Sequence, residues 1–412
     1  MRKFKLIFLN FFLYTFIIIN LTAADQNIDI VGGANAGNPK IAIANFTNDS
    51  STSANNIAET IANDFKITGE FNVLRPDDVS VIESGVQYIL TGSVDGNTIT
   101  YKLTSNSKSD AKPLNKSVIF KTDVRKASHT ISNAVYQNIT NVKGAFTSKI
   151  AYIVKNGGSY SLIVSDYDGY NQKDVFSSKS AITSISWSSN GKQIAYVSFE
   201  SGKPVAYVQD IYKGNRYQIA NFDGSNSSPS FAPNGKLAVT LSKDYGSHIY
   251  FVNNKPFSGG TTADRQFKGF STIDTEASFA NNGNMVFTSN RDGGPQIFMS
   301  SISGTTPSRL TVGLGKYNTT AKFSHDASKI TFINRNAGVL KAYVMDLSTK
   351  AAYPVSLNTN KDMSPSFAPN DKLVLFSSDN GMYISNVTGT AQSYLKHIEA
   401  DSIIDQQWSN NF

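Results

Sequence analysis

The chain reads as an α/β N-terminal domain plus an all-β six-bladed β-propeller, with a C-terminal strand that closes the first blade. Three observations predict this. A short phrase recurs at blade-like intervals, the region before it alternates strand and helix patterns, and the last copy is truncated where the first blade lacks one. The phrase is clearest at Phe231-Ala-Pro-Asn-Gly-Lys-Leu-Ala-Val239 and Phe367-Ala-Pro-Asn-Asp-Lys-Leu-Val-Leu375, with weaker copies beginning at Trp187, Phe279 and Phe323 and a stub at Trp408. These aromatic anchors stand 44, 48, 44, 44 and 41 residues apart, close to the blade period of about 40–50 residues. A β-sandwich with coincidental Asn-Gly turns supplies no reason for such a step.

Each part of the phrase has a physical role. The aromatic ends an innermost strand, Asn-Gly or Asn-Asp makes the turn because those residues tolerate positive φ, and a β-branched apolar run returns. Third strands follow, as at 248–252, 296–299 and 341–345, then fourth strands near 309–311 and 353–355. The first blade begins at 149–154 without an aromatic phrase, and the segment 403–408 supplies its missing innermost strand. That closure gives six blades and removes the exposed edges that invite aggregation.

Before the propeller the chain divides into a signal peptide (1–24), an arm (25–38) and a small α/β domain (39–145), with the propeller at 146–412. Arg2, Lys3 and Lys5 precede a mostly apolar run, and Thr22-Ala23-Ala24 offers cleavage between Ala24 and Asp25. An uncleaved anchor is the alternative, but the run is short for a span of about 20 residues. The arm is polar and glycine-containing around Ile28, Asp29, Ile30 and Val31, either a docked edge strand or a tail that pairs with a partner. In the α/β domain, 40–46 alternates as a strand. Ile57, Ile61 and Phe65 make a helical face that ends at Gly69, and 71–74 is a strand stopped by Pro76. Segments 88–94 and 98–103 flank the hairpin turn Asp95-Gly96-Asn97, 117–121 adds a strand, and a second helix over 123–139 aligns Val124, Ile131, Val135 and Ile139.

Composition excludes several chemistries. There is no cysteine, hence no disulfide and no thiolate metal site. The formal charge is +7, or +4 without Arg2, Lys3 and Lys5, and its basic residues are scattered, so no nucleic-acid partner is expected. His129, His248, His325 and His397 occupy unrelated places without zinc-ligand spacing. Gly32-Gly33-Ala34-Asn35-Ala36-Gly37 lacks the strand–helix setting of a phosphate loop. In Asp166-Tyr-Asp-Gly-Tyr-Asn-Gln172 the spacing departs from the calcium-loop pattern, so a tight turn in blade one is expected. No metal, no cofactor and no further membrane-spanning segment are expected, and the mature chain should be a monomer.

One positional pattern remains. Small polar residues precede the anchors: Thr183 and Ser184; Ser227 and Ser228; Asp274, Thr275 and Glu276; Asn318, Thr319 and Thr320; Asp362, Met363 and Ser364. Read as loops entering the innermost strands, they form a ring around the channel mouth, although ordinary turn composition gives the same residue types. A secreted hydrolase or lyase acting on peptide or polysaccharide would need acid/base groups on both sides of a substrate. Asp274 and Glu276 are the acidic pair at the mouth, and they come from one loop. A purely structural propeller leaves the arm without a purpose.

The order of parts resembles the TolB family of the Tol-Pal system across essentially the whole mature chain. Specific stretches carry the resemblance: Lys143-Gly-Ala-Phe-Thr-Ser-Lys-Ile-Ala-Tyr152, Ser165-Asp-Tyr-Asp-Gly-Tyr-Asn-Gln172, Ser198-Phe-Glu-Ser-Gly202 and Thr288-Ser-Asn-Arg-Asp-Gly-Gly-Pro-Gln296. Ala327 and Asp371 depart from the family's turn glycine, which questions the turn geometry there. The resemblance implies a periplasmic, non-enzymatic adaptor of envelope integrity, cell division and, in some bacteria, colicin import. It implies that the lipoprotein Pal binds the propeller face at Ser225, Ser228, Thr275, Glu276, Thr320 and Ser364. It also implies that the inner-membrane protein TolA binds the arm at Asp25, Ile28, Asp29, Ile30 and Val31.

Overall fold

The computed structural model describes residues 30–32, 37–52, 55–77, 85–106, 112–243, 245–267, 271–379 and 381–411. The expected signal peptide, its Ala24–Asp25 cleavage and arm residues Asp25, Ile28 and Asp29 lie outside them. Strand β1 (Ile30–Gly32) belongs to the arm. The α/β domain holds β2 (Lys40–Ile43), α1 (Ile57–Thr68), β3 (Asn72–Leu74), β4 (Tyr88–Asp95), β5 (Thr98–Ser105), β6 (Leu114–Ile119) and α2 (Val124–Thr140). Its sheet runs β3-β2-β4-β5-β6, parallel about β2 and antiparallel beyond.

Capping sets the helix limits. The Asn56 side chain accepts from Glu59 N, and Asp123 accepts from Lys126 N, each at 2.8 Å, satisfying amides that a first turn leaves open. Gly69 ends α1 at φ 66°, and a Cβ there would stand 2.6 Å from Ala391 Cβ. Both the left-handed turn and the close approach to the propeller therefore require glycine.

The propeller has six blades. Blade one is β7 (Lys149–Asn156), β8 (Ser159–Asp166) and β9 (Lys173–Ser178). Blade two is β10 (Ile182–Trp187), β11 (Gln193–Ser198), β12 (Val205–Asp210) and β13 (Arg216–Ala220). Blade three is β14 (Asn226–Phe231), β15 (Lys236–Ser242), β16 (Ser247–Asn253) and β17 (Asp264–Arg265). Blade four is β18 (Asp274–Phe279), β19 (Asn284–Ser289), β20 (Gln296–Ser301) and β21 (Ser308–Arg309). Blade five is β22 (Asn318–Phe323), β23 (Lys329–Asn336), β24 (Val339–Asp346) and β25 (Ala352–Pro354). Blade six is β26 (Asp362–Phe367), β27 (Leu373–Ser378), β28 (Gly381–Asn386) and β29 (Ala391–Tyr394). The last strand, β30 (Ser402–Trp408), pairs antiparallel with β7 and completes blade one. The arm strand β1 adds to blade six as a fifth strand, pairing Val31 with Gln392.

Anchors pack between blades. Trp187 is 1% exposed and clusters with Ala151 and Ile153 of blade one, while its Nε1 donates to Gln407 O at 3.1 Å. Burial of such a ring contributes roughly 2–3 kcal/mol. The Asp166–Gln172 segment forms the expected turn between β8 and β9.

The two family departures keep the turn. Ala327 and Asp371 both sit at φ 59°, beside Gly191 at 63° and Gly235 at 77°. Asp371 is compensated because its carboxylate accepts from His325 N at 2.7 Å and Asp326 N at 2.9 Å. Ala327 has no such device. Ala327→Gly should stabilise the fold by about 1 kcal/mol, and a lower urea midpoint would refute the strain. Deleting 403–412 removes β30 and exposes the β7 edge. We expect aggregation and loss of cooperative unfolding, checked by solubility and a calorimetric scan.

Candidate functional site

The ring residues are not loop residues. They lie inside the innermost strands, each of which carries a β-bulge: the register shifts between Thr183 and Ser186, Ser227 and Ser230, Thr275 and Ser278, Thr319 and Lys322, and Met363 and Ser366. At every one of these bulges a non-glycine residue takes positive φ: Ser184, Ser228, Glu276, Thr320 and Ser364, between 45° and 60°. Each such residue costs roughly 1–2 kcal/mol. The bulge turns these residues toward the channel, where all five line one cavity of about 370 Å³.

The bulge separates neighbours that sequence treats alike. Ser228, Glu276, Thr320 and Ser364 line the cavity, whereas Thr275 turns toward blade three and meets Thr240 Oγ1 at 3.1 Å. Ser225 stays in the connection before β14, where its carbonyl accepts from Ser242 N. Asp274 is 1% exposed, pairs with Arg291 Nη2 at 2.7 Å and does not line the cavity. The acidic groups of the mouth are instead Glu276, Asp362 and Asp405, from blades four, six and one.

These carboxylates are engaged. Glu276 Oε2 accepts from Thr320 N at 2.9 Å and from Thr288 Oγ1 at 2.7 Å. Asp405 Oδ2 accepts from Ile185 N at 2.7 Å, and Asp362 Oδ2 from Ala342 N at 2.8 Å. The Gln406 amide donates to Met363 O at 2.8 Å and Ser364 O at 3.0 Å. Channel side chains thus satisfy backbone groups of bulges in other blades. Burial pushes the Asp405 carboxyl up. Lys322, at the floor of the cavity, is pushed down by burial, with Asp405 and Glu276 opposing. Sequence reasoning missed Asp362 as a mouth acid, Asp405, Gln406 and Lys322. Aligning the repeats would have exposed Lys322, which occupies a position held by Ser186, Ser230, Ser278 and Ser366 elsewhere.

Exposed apolar groups also occur on the face that carries this mouth, and Met363 lines the cavity itself. Among the described residues eight large hydrophobics are exposed, and Phe199, Tyr245, Ile273, Val312 and Met363 belong to segments that the alternating strand directions bring to the mouth end.

A second built feature lies at the seam between domains. His129 of α2 places Nδ1 2.8 Å from Asp64 of α1, and Nε2 3.1 Å from Asp168 Oδ2 of blade one, close enough for charge attraction but not aligned as a hydrogen bond. Arg125 Nη2 reaches the same Asp168 oxygen at 2.5 Å, and Tyr167 donates to Asp64. The groups are between 1% and 6% exposed. Burial alone lowers the His129 pKa, but the Asp64 and Asp168 carboxylates reverse this and hold it at about 10. Asp168 is held well below the usual range: burial opposes, and His129 and Arg125 overcome it. Two cations and two anions then balance inside the seam.

Fold and mouth define a two-domain β-propeller protein with a bulged, polar channel mouth. Two family models match, the TolB amino-terminal domain over residues 26–102 and the TolB beta propeller domain over 136–411, and the chain belongs to the TolB family. A Tol-Pal system protein TolB from Xylella fastidiosa is 32% identical over 402 residues, covering 91% of each chain. Matches to TolB of Chromobacterium violaceum (33% identical) and Bordetella pertussis (35%) cover 50% and 61% of this chain and span 51% and 60% of those chains. The crystal structure of TolB from Acinetobacter baumannii superposes with a TM-score of 0.78 at 28% identity, covering 93% of this chain and 99% of that one. Among the described residues no helix is long and apolar enough to cross a membrane.

The seam predicts a pH dependence. A histidine raised from an ordinary value near 6.5 to about 10 stabilises fully below pH 6.5, and that contribution falls as pH rises through 10. Up to about 5 kcal/mol is at stake. His129→Gln leaves two carboxylates facing one arginine and should destabilise by about 3–5 kcal/mol at pH 6.5. The gap to the native protein should narrow by pH 10.5. Urea titrations at both pH values check this, and a constant gap would refute a charged His129.

Proposed function

We propose that the chain is a periplasmic, non-catalytic adaptor of the Tol-Pal system. It docks the lipoprotein Pal on the channel mouth and TolA through the arm, and so serves outer-membrane integrity and constriction at division. The observation that carries this reading is the apolar rim. Five of the eight exposed large hydrophobics among the described residues belong to the face that carries the bulged mouth, with Met363 in the mouth lining itself, and exposed apolar surface concentrated on one face suits a protein partner. Catalysis is disfavoured because Glu276 and Asp405 are committed to backbone amides rather than free to move protons. Family membership and the signal peptide expected from residues 1–24 support the periplasm. For the arm, support comes from β1, whose three residues already act as an added strand on β29. A segment with that capacity can pair with another sheet edge.

The two surfaces should fail separately. Val312→Glu and Met363→Arg place charge on exposed rim positions, 73% and 37% exposed, without touching the core. Each should weaken Pal binding by about tenfold or more with little change in thermal midpoint. Deleting 25–33 should abolish TolA binding and spare Pal. Titration calorimetry with each purified partner decides it. Unchanged Pal affinity in both rim variants would remove the mouth from the reading.

A further inference from the structure

Below the mouth the channel continues into a second chamber of about 130 Å³, walled by the residues that precede the anchors. These are serine in blades two, three, four and six, Gln407 in blade one and Lys322 in blade five. The serines perform a repeated structural task. Ser186 Oγ accepts the amide of Phe231 at 3.3 Å, Ser278 Oγ that of Phe323 at 3.4 Å, and Ser366 Oγ that of Trp408 at 2.9 Å. A hydroxyl that accepts in this way keeps its own proton for another acceptor. Lysine has no lone pair to offer an amide, so blade five breaks the rule and sets an ammonium in the channel instead.

Lys322 lines both chambers. Among the described residues, no hydrogen bond or ion pair engages its ammonium. Its acidic neighbours, Glu276 and Asp405, line the mouth chamber and are bonded there to Thr320 N and Ile185 N. Among the described residues, no Asp or Glu lines the lower chamber. Its histidine, His325, has Nδ1 3.0 Å from Asp371 Oδ1. Lys322 and the serine hydroxyls thus line the lower chamber while the two carboxylates that act on Lys322 are engaged on the mouth side, and the lower lining is complementary to negative charge.

We propose that the lower chamber binds one small inorganic oxyanion, of the phosphate or sulfate kind, on the Lys322 ammonium, with the hydroxyl protons of Ser186, Ser278 and Ser366 as further donors. An acidic segment of a partner is the poorer occupant, because from the mouth it must pass Glu276 and Asp405. A free ion can also enter from the far end, among Asn281, Ser324 and Asn410. The site is separate from the docking face and independent of what docks there.

The test is a thermal-shift titration of the mature chain with inorganic phosphate at pH 7, with ionic strength held constant by chloride. A saturable rise in midpoint is expected. Lys322→Ser restores the serine rule of the other blades and should fold, yet weaken phosphate by about tenfold or more. Lys322→Met provides a second neutral variant, and Lys322→Arg should retain binding. No rise in the native protein, or an equal rise in a neutral variant, overturns the proposal.

Discussion

Everything the molecule presents depends on one strand pairing. Strand β30 meets β7 across more than 240 residues of sequence, with Trp408 opposite Ile150. The pairing closes the ring, and its side chains then serve four places at once. Asp405 and Gln406 complete the mouth, Gln407 and Trp408 wall the lower chamber, and Trp408 stacks on Tyr167 at the domain seam, ring centres 6.0 Å apart. Trp408 Nε1 also donates to Ser148 Oγ at 2.7 Å, fixing the start of the propeller to its end. A contact of such sequence separation carries a large loop-closure entropy. It is recovered only when the intervening blades are in place, so closure, channel and seam form together.

Closure explains why strained backbone persists at the mouth. Five non-glycine residues at positive φ represent several kcal/mol of local cost in total. The strain holds where a bulge is tied to another blade, as in four of the five: Thr320 to Glu276, Ile185 to Asp405, Ser364 to Gln406 and Thr275 to Thr240. In an open ring those partners would drift and the bulges would relax. A mouth built this way is pre-organised, so the docking proposed for it would need little ordering of the surface.

The repeat period, turn chemistry, both helices and the shared blade were legible because they rest on local rules repeated often enough to see. Ala327 and Asp371 keep the left-handed turn that their residue types make costly, since the surrounding blade over-determines it. The direction of individual mouth side chains was not legible. Thr275 and Glu276 are adjacent in sequence, but the bulge sends one between blades and the other into the channel, and periodicity alone cannot place a bulge. Asp362 was seen as a ring residue but not as a mouth acid, for the same reason. The seam was hidden differently. His129 and Asp64 are 65 residues apart, and nothing local marks them as partners. Lys322 was missed although the repeats, once aligned, set it in a column of serines, and the substitution acquires meaning only when that column is seen to ring a chamber.

The seam also ranks the parts of the molecule by firmness. One hydrophobic cluster runs from Ile61 and Phe65 of the α/β domain through Tyr167 to Leu373 and Trp408 of the propeller. Gly69 lies against Ala391, and the Asn386 amide donates to Thr68 O at 3.2 Å. Separating the domains would expose this core and the four buried charges together, a loss of many kcal/mol. The arm is held on the same blade by the backbone pairing of three residues, β1 on β29, and a three-residue edge strand is marginal by itself. The contrast follows from burial: domains and blades behave as one body, and β1 is the element that can leave without disturbing the rest.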